Sequence, residues 1–264
     1  MDLRELKLNT NTARHPWEIA RFKVVNQLIK NHLPHINHLT NFTLLDMGCG
    51  DTWFIEEMSK HYPSAKMAGV DIAFEPNLLE LLQQRFMQSN IGVYPSLESA
   101  KPHLQKKVDV VLLLDVIEHI EDDVAFLKWM QSFDFITNET VFIITVPAYQ
   151  KLFCSHDVFL GHYRRYTNNM LVRHMEASGL EEITKGYFFL SLLPLRLMQV
   201  IKEKIFKANH NEEAKGLANW NGAEGNNSLV AKVLLADYKI SKLFQKIGVK
   251  LPGLSNYILC KKFV

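Results

Sequence analysis

The segment Leu44-Leu-Asp-Met-Gly-Cys-Gly-Asp-Thr-Trp53 brings an apolar run, an acid and two glycines into close succession. Gly48 and Gly50, with Cys49 between them, can adopt positive φ and let a ligand approach the backbone closely. A strand-to-helix turn that simply needs glycine would read the same way. The spacing excludes two phosphate-binding patterns. A dinucleotide fingerprint needs a third glycine where Trp53 stands, which also disfavours a nicotinamide dehydrogenase. A phosphate-binding loop needs a Gly-Lys-Ser/Thr triplet that is absent. Asp46 is a poor neighbour for a pyrophosphate and a good one for an amine or a positive charge. Ala68-Gly-Val-Asp71 ends in a second acid, about 20 residues past the glycines, where a carboxylate can accept from both hydroxyls of a ribose. A third polar exit follows an apolar run at 110–114 and holds Asp115, Glu118 and His119. These residues ask for a ligand with a ribose, no pyrophosphate and a cationic part.

S-adenosylmethionine meets all three requirements. Its methyl sulfonium is already a strong electrophile, so a protein using it mainly aligns an acceptor and excludes water. A hydroxyl or protonated amine as acceptor needs a general base. His119 and His156 are the candidates, because an unperturbed histidine titrates near neutral pH. A partner carboxylate for His156, Asp157 or Asp115, would fix its tautomer. The Cys49 thiol has no basic neighbour and reads as packing. The stretch 148–167 gathers His156, Asp157, His162, Tyr163, Arg164, Arg165 and Tyr166 into one loop, and polar loops at strand ends usually carry function. Two readings stand: Arg164 or Arg165 pins the loop through Asp157, or Glu118, Asp157, His162, Tyr163 and Arg164 meet a substrate. His15-Pro-Trp-Glu-Ile-Ala-Arg21 by itself reads as a helix start with a core Trp17 and a surface Arg21.

Together these motifs resemble the class I S-adenosylmethionine-dependent methyltransferases, of the broad bacterial type-11/type-12 kind, over most of the chain. Asp46-Met-Gly-Cys-Gly50 is similar to their glycine motif, Gly69-Val-Asp71 to their ribose motif and Asp115-Val-Ile-Glu-His119 to their fourth-strand motif. The resemblance implies methyl transfer, with S-adenosylmethionine as cofactor. It implies an α/β fold: a Rossmann-like, doubly wound, seven-stranded sheet with helices on both faces and an antiparallel last strand. By the same resemblance Asp71 holds the ribose, Gly48 and Gly50 line the methionine portion, Ile72 packs on adenine and Asp115 lies beside the sulfonium. Two positions depart from the pattern. Thr52 stands where many members carry a third glycine, which should narrow the turn. Val93-Tyr-Pro-Ser-Leu97 lacks the aspartate that often faces the adenine amine, leaving Ser96 or Glu98 as substitutes. A subset of the family shares the His156-Asp157 and Gly161-His-Tyr-Arg-Arg-Tyr166 stretch, and often a Trp and an Arg as at Trp17 and Arg21, which implies a helix closing over the cofactor with Arg21 as a contact.

The elements that must position these residues follow from periodicity. Strands are expected at 42–46, 66–71, 91–94, 108–114, 140–146, 182–189 and 256–263. Helices are expected at 15–33, 53–61, 76–88, 121–132 and from Thr167, as N-cap, to about Ser178. Alternating strands and helices indicate a largely parallel sheet. A single domain over 1–264 is expected, with a covering helix at 15–33, a substrate-side loop at 148–167 and a helical insertion at 190–250. Residues 208–228 read as a mobile loop.

The chain has 264 residues, 47% hydrophobic and 22% charged, which excludes a disordered or fibrous chain. Three scattered cysteines make neither a disulfide framework nor a zinc site, no metal is expected, and a reducing cytoplasm fits. The first residues lack the apolar run of a signal peptide. Net charge is +2, but residues 1–184 carry 17 Lys+Arg against 23 Asp+Glu, and residues 185–264 carry 13 against 5. Nucleic acid is an unfavoured partner, because the basic part lacks a recognisable nucleic-acid motif. The apolar stretch beginning at Tyr187, with Lys202, Lys204 and Lys207 after it, is too short to span a bilayer. It suits a core helix, a dimer contact or a peripheral contact with the inner membrane through 187–207. The last would match a lipid-linked acceptor; otherwise a small molecule is expected. A cofactor-binding protein without turnover, regulatory or an assembly factor, is the alternative.

Overall fold

A computed structural model of the protein describes residues 14–104, 107–206 and 224–263. Helix α1 (Pro16–His32) leads into strand β1 (Thr43–Met47), helix α2 (Trp53–His61) and strand β2 (Lys66–Val70). Helix α3 (Pro76–Phe86), strand β3 (Ile91–Tyr94), helix α4 (Leu97–Leu104) and strand β4 (Val110–Leu114) follow. Then come α5 (Asp123–Gln131), β5 (Val141–Pro147), α6 (Ser155–Leu160), α7 (Asn168–Ser178) and β6 (Leu180–Phe188). The last elements are α8 (Leu193–Phe206), α9 (Glu224–Lys246) and β7 (Ser255–Lys262).

Among the described residues, seven strands form one sheet in the order β3-β2-β1-β4-β5-β7-β6. Strands β1 to β5 pair in parallel, while β7 runs antiparallel to both neighbours. Parallel strands are buried on both faces, so they read as continuous apolar runs. Val110–Leu114 is such a run, and its residues alternate between two cores. Val110 and Leu112 pack on the side of α1, α2 and α9. Val111 and Leu113 pack on the side of α4, α5 and α7.

Local chemistry sets several boundaries. The Thr167 hydroxyl caps α7 by accepting from the Met170 N–H at 3.2 Å, and Gly179 ends that helix at φ 86°. Asp122 caps α5 through the Ala125 N–H at 2.8 Å. Two short helices were not foreseen. Helix α4 contains Pro102, and α6 lies inside the expected substrate loop. Both are too short to show a periodic pattern. Helices α8 and α9 stand between β6 and β7, where the insertion was expected. Of the expected mobile loop, residues 208–223 lie outside the described residues, whereas the chain from Glu224 onward is helical.

Candidate active site

A cleft of about 500 Å³ opens at the carboxyl ends of the central strands, where the sheet order reverses between β1 and β4. Its size is ordinary for a small-ligand site, and its place follows the rule for open α/β sheets. The glycine turn forms one wall. Gly48 and Gly50 have φ of 76° and 55°. A Cβ on Gly48 would stand 2.7 Å from Val116 Cγ2. The N–H groups of Gly48 and Cys49 both donate to the Val70 carbonyl, at 2.7 and 3.2 Å, so the turn is strapped to β2. Thr52 takes a left-handed φ of 66°, a region that favours glycine. Its buried hydroxyl donates to Glu56 at 2.8 Å, which supports that conformation.

Asp71 lies at the end of β2 against this turn. Its carboxylate accepts from Gly50 N–H at 2.8 Å and from Ala73 N–H at 2.9 Å. These bonds orient it while it lines the cleft. Ile72 stands beside it on the rim, 86% exposed. Asp115, just after β4, adopts a positive φ of 57°, a conformation that costs energy in a non-glycine residue. Two contacts hold it: the Thr145 hydroxyl donates at 3.1 Å, and Arg21 of α1 pairs with the other oxygen. Through Arg21 the N-terminal helix is tied to the end of β4, and Trp17 lines the cleft with it.

Two expected cofactor contacts are displaced. Asp46 and Cys49 do not line the cleft with their side chains. Asp46 is 2% exposed, and its Oδ2 has no hydrogen-bond partner among the described residues. Burial raises its pKa to about 7, with Asp71 adding and Arg21 opposing. Cys49 is buried against Gly69, where an added Cβ would lie 2.9 Å from its sulfur. Burial pushes its thiol pKa well up, which agrees with a packing role. Ser96 and Glu98, the expected adenine partners, also miss the cleft. Ser96 begins α4, its hydroxyl accepting from Ser99 N–H at 3.2 Å, and Glu98 lies in that helix's first turn.

The opposite wall carries Glu118, His119, His156 and His162. Glu118 is fully buried, and neither of its carboxylate oxygens has a hydrogen-bond partner among the described residues. Burial raises its pKa, and Asp115 raises it further. The rings of His119 and His162 meet edge to face at 4.6 Å. One donor atom each from Glu118, His119 and His162 lie within 4.8 Å of one another, a set suited to a polar acceptor group or a cation.

Asp157 is the hub of the 148–167 segment and lies outside the cleft lining. It is fully buried and accepts from His162 Nδ1 at 2.9 Å, Arg165 Nε at 2.8 Å, Cys154 N–H at 2.9 Å, and from Arg196 of α8. Those bonds hold its pKa below the usual carboxylate range despite burial. The histidine–carboxylate pair is therefore His162–Asp157, with His156 outside it. Burial, then Arg196, depress the His156 pKa to about 4, which makes it a weak base at neutral pH. Tyr163 and Arg164 also leave the cleft. Tyr163 is 52% exposed and gives its N–H to the Glu118 carbonyl at 2.8 Å. Arg164 turns to the Glu121 carbonyl and Asp123. Sequence reasoning missed Thr145 and Arg196. Arg196 interrupts an apolar stretch, and that interruption was the one visible signal.

The methyltransferase-domain family model Methyltransf_23 matches residues 18–185, and the chain belongs to that family. Its fold is that of the class I S-adenosylmethionine-dependent methyltransferases. Among curated relatives, "N-methyltransferase 4" of Papaver somniferum is 27% identical over 146 residues, covering 52% of this chain and 40% of that protein. A ubiquinone biosynthesis O-methyltransferase of Histophilus somni (strain 2336) is 26% identical over 140 residues, covering 48% and 57%. The chain thus spans roughly half the length of these relatives. A solved structure of a putative sarcosine dimethylglycine methyltransferase from Galdieria sulphuraria superposes with a TM-score of 0.53 at 13% identity, covering 90% of this chain and 85% of that one. At that identity the likeness concerns the fold.

Proposed function

We propose that the protein transfers a methyl group from S-adenosylmethionine to a hydroxyl or amine of a small or lipid-linked acceptor. One observation carries this reading: the Asp71–glycine wall and the Glu118–His119–His162 wall share a single cleft with Asp115. The donor set fits the cofactor, with an oriented carboxylate for a ribose and backbone made approachable by Gly48 and Gly50. When bound, S-adenosylmethionine supplies an electrophilic methyl group.

The chain's own residues do the rest. Asp71 accepts the two ribose hydroxyls, and the amides of Gly50 and Ala73 keep its carboxylate turned to them. Ile72 covers the adenine from the rim. Arg21 balances the charge of Asp115 at the centre of the cleft and brings α1 over it, which excludes water. Glu118 and His162 hold the acceptor's polar group. His119 takes its proton at a ring nitrogen. His156 stays neutral and serves as wall.

Calorimetric titration with S-adenosylmethionine, S-adenosylhomocysteine and NAD tests the first step. Micromolar binding of the first two and none of NAD is expected. Heat from NAD alone would overturn the cofactor. Methyl transfer across a panel of hydroxyl and amine acceptors tests the second step. His119→Ala should lower turnover by about 10²–10⁴-fold with cofactor affinity unchanged. Tight cofactor binding without transfer to any acceptor would favour a binding protein without turnover.

A further inference from the structure

Helix α8 turns Arg196 and Glu203 inward. Arg196 is buried, donating to the Leu152 carbonyl at 3.2 Å and pairing with Asp157. Glu203 accepts from Ser155 N–H at 3.0 Å and its hydroxyl at 2.8 Å, which docks α8 on the start of α6. Val200 is buried with them, while most of the other apolar residues are left outside. Leu197, Met198, Ile201 and Ile205 are 46–68% exposed at helical spacing, with Lys202 and Lys204 to either side of that stripe. This inverts the usual burial pattern of an amphipathic helix.

Helix α9 repeats the feature by other means. Ala231, Leu234 and Tyr238 form its buried stripe in the core shared with α1. Opposite them Leu229, Val233, Ile240 and Leu243, with Ile247 just past the helix end, form a second apolar stripe, 47–72% exposed. Lys232, Lys239 and Lys246 recur every seven residues along one edge of it. Both helices contact the same one-turn helix, Leu190–Leu192. Beside the foot of α9, Lys185, Lys242 and Lys250 line a cavity of about 330 Å³ in which Glu182 is the one acid among the described lining residues.

We propose that these outer stripes of α8 and α9 form a monotopic docking surface for an anionic lipid bilayer. Exposed apolar stripes mark interaction sites, and lysines along them suit the headgroup layer of anionic lipids. The charge supports this occupant: residues 185–264 carry 13 Lys+Arg against 5 Asp+Glu. No helix among the described residues is long and apolar enough to cross a membrane, so the surface lies on the bilayer and does not span it. Leu192 and Arg196 belong to the cleft wall, which puts this surface next to the cleft. Docking is independent of methyl transfer; that it delivers a lipid-linked acceptor rests on the proposed function.

The test is sedimentation of the full chain with vesicles of phosphatidylcholine alone or mixed with phosphatidylglycerol. Preferential capture by the anionic vesicles, released by high salt, is expected. Ile201→Glu and Leu243→Glu, singly and together, should each lower the partition coefficient roughly tenfold or more. Their melting curves and S-adenosylmethionine titrations should match the parent protein, which separates this proposal from the cofactor reading. Three results would overturn it: a parent protein that stays in the supernatant, glutamate variants that sediment equally well, or a lipid-free dimer in light scattering that the same variants dissolve. The last would reassign the surface to a second copy.

Discussion

Asp46 and Asp71 are both carboxylates at the ends of neighbouring strands, and burial separates their chemistry. Asp71 faces the cleft with its two oxygens already taking amide bonds, so it is oriented for a further pair of hydroxyls. Asp71→Ala should weaken S-adenosylmethionine binding by about 1–3 kcal/mol, the range for hydrogen bonds to a charged group. Calorimetry checks this, and unchanged affinity would remove Asp71 from the ribose. Asp46 is buried with one oxygen unpartnered among the described residues, and its pKa is raised to about 7. The folded protein therefore holds a proton that the unfolded chain has lost between about pH 4 and 7, and stability falls as pH rises through that window. Asp46→Asn removes this dependence. Its melting temperature should exceed the parent's at pH 8 by more than at pH 5, and an equal difference at both would refute the assignment.

At the level of elements, α6, α7's leading loop and α8 meet on one aspartate. Asp157 binds two buried arginines and a histidine that come from two segments of the chain. Removing a partner from a buried ionic cluster costs about 3–5 kcal/mol, because the remaining charges stay buried and unpaired. Asp157→Asn should therefore lower chemical-denaturation stability by about that amount and loosen α8. Its pKa is depressed in the folded state, so its contribution is complete above the ordinary carboxylate value of about 4. That contribution is lost as pH falls below it. The stability difference between parent and variant should narrow below pH 4, measured by urea unfolding across pH.

For the whole molecule, a ligand that binds only the folded chain stabilises all cooperative elements together. Saturating S-adenosylmethionine at about 100 times its dissociation constant should add about 2.7 kcal/mol. For a domain of this size that raises the melting temperature by about 5–10 °C. Calorimetric scanning with and without the ligand reads this, and NAD at the same excess should produce no shift.

Much of the molecule was legible before any coordinates. Apolar runs buried on both faces announce parallel strands, and the glycine turn, Asp71 and Asp115 fall at strand ends because strand and helix must alternate there. Short-range chemistry also placed Thr167 at the start of α7 and its end near Ser178, since capping is a local event. What escaped was long-range. The sequence could not say that Asp157 would choose His162, Arg165 and Arg196 over a substrate, because those groups meet only when α6 and α8 dock. Nor could it say that Arg21 would reach Asp115 across 94 residues. Composition showed a basic, apolar C-terminal part, but not which side of α8 and α9 would face outward. In α8 that depended on Arg196 and Glu203 finding partners inside, and in α9 on Ala231, Leu234 and Tyr238 packing into the core shared with α1.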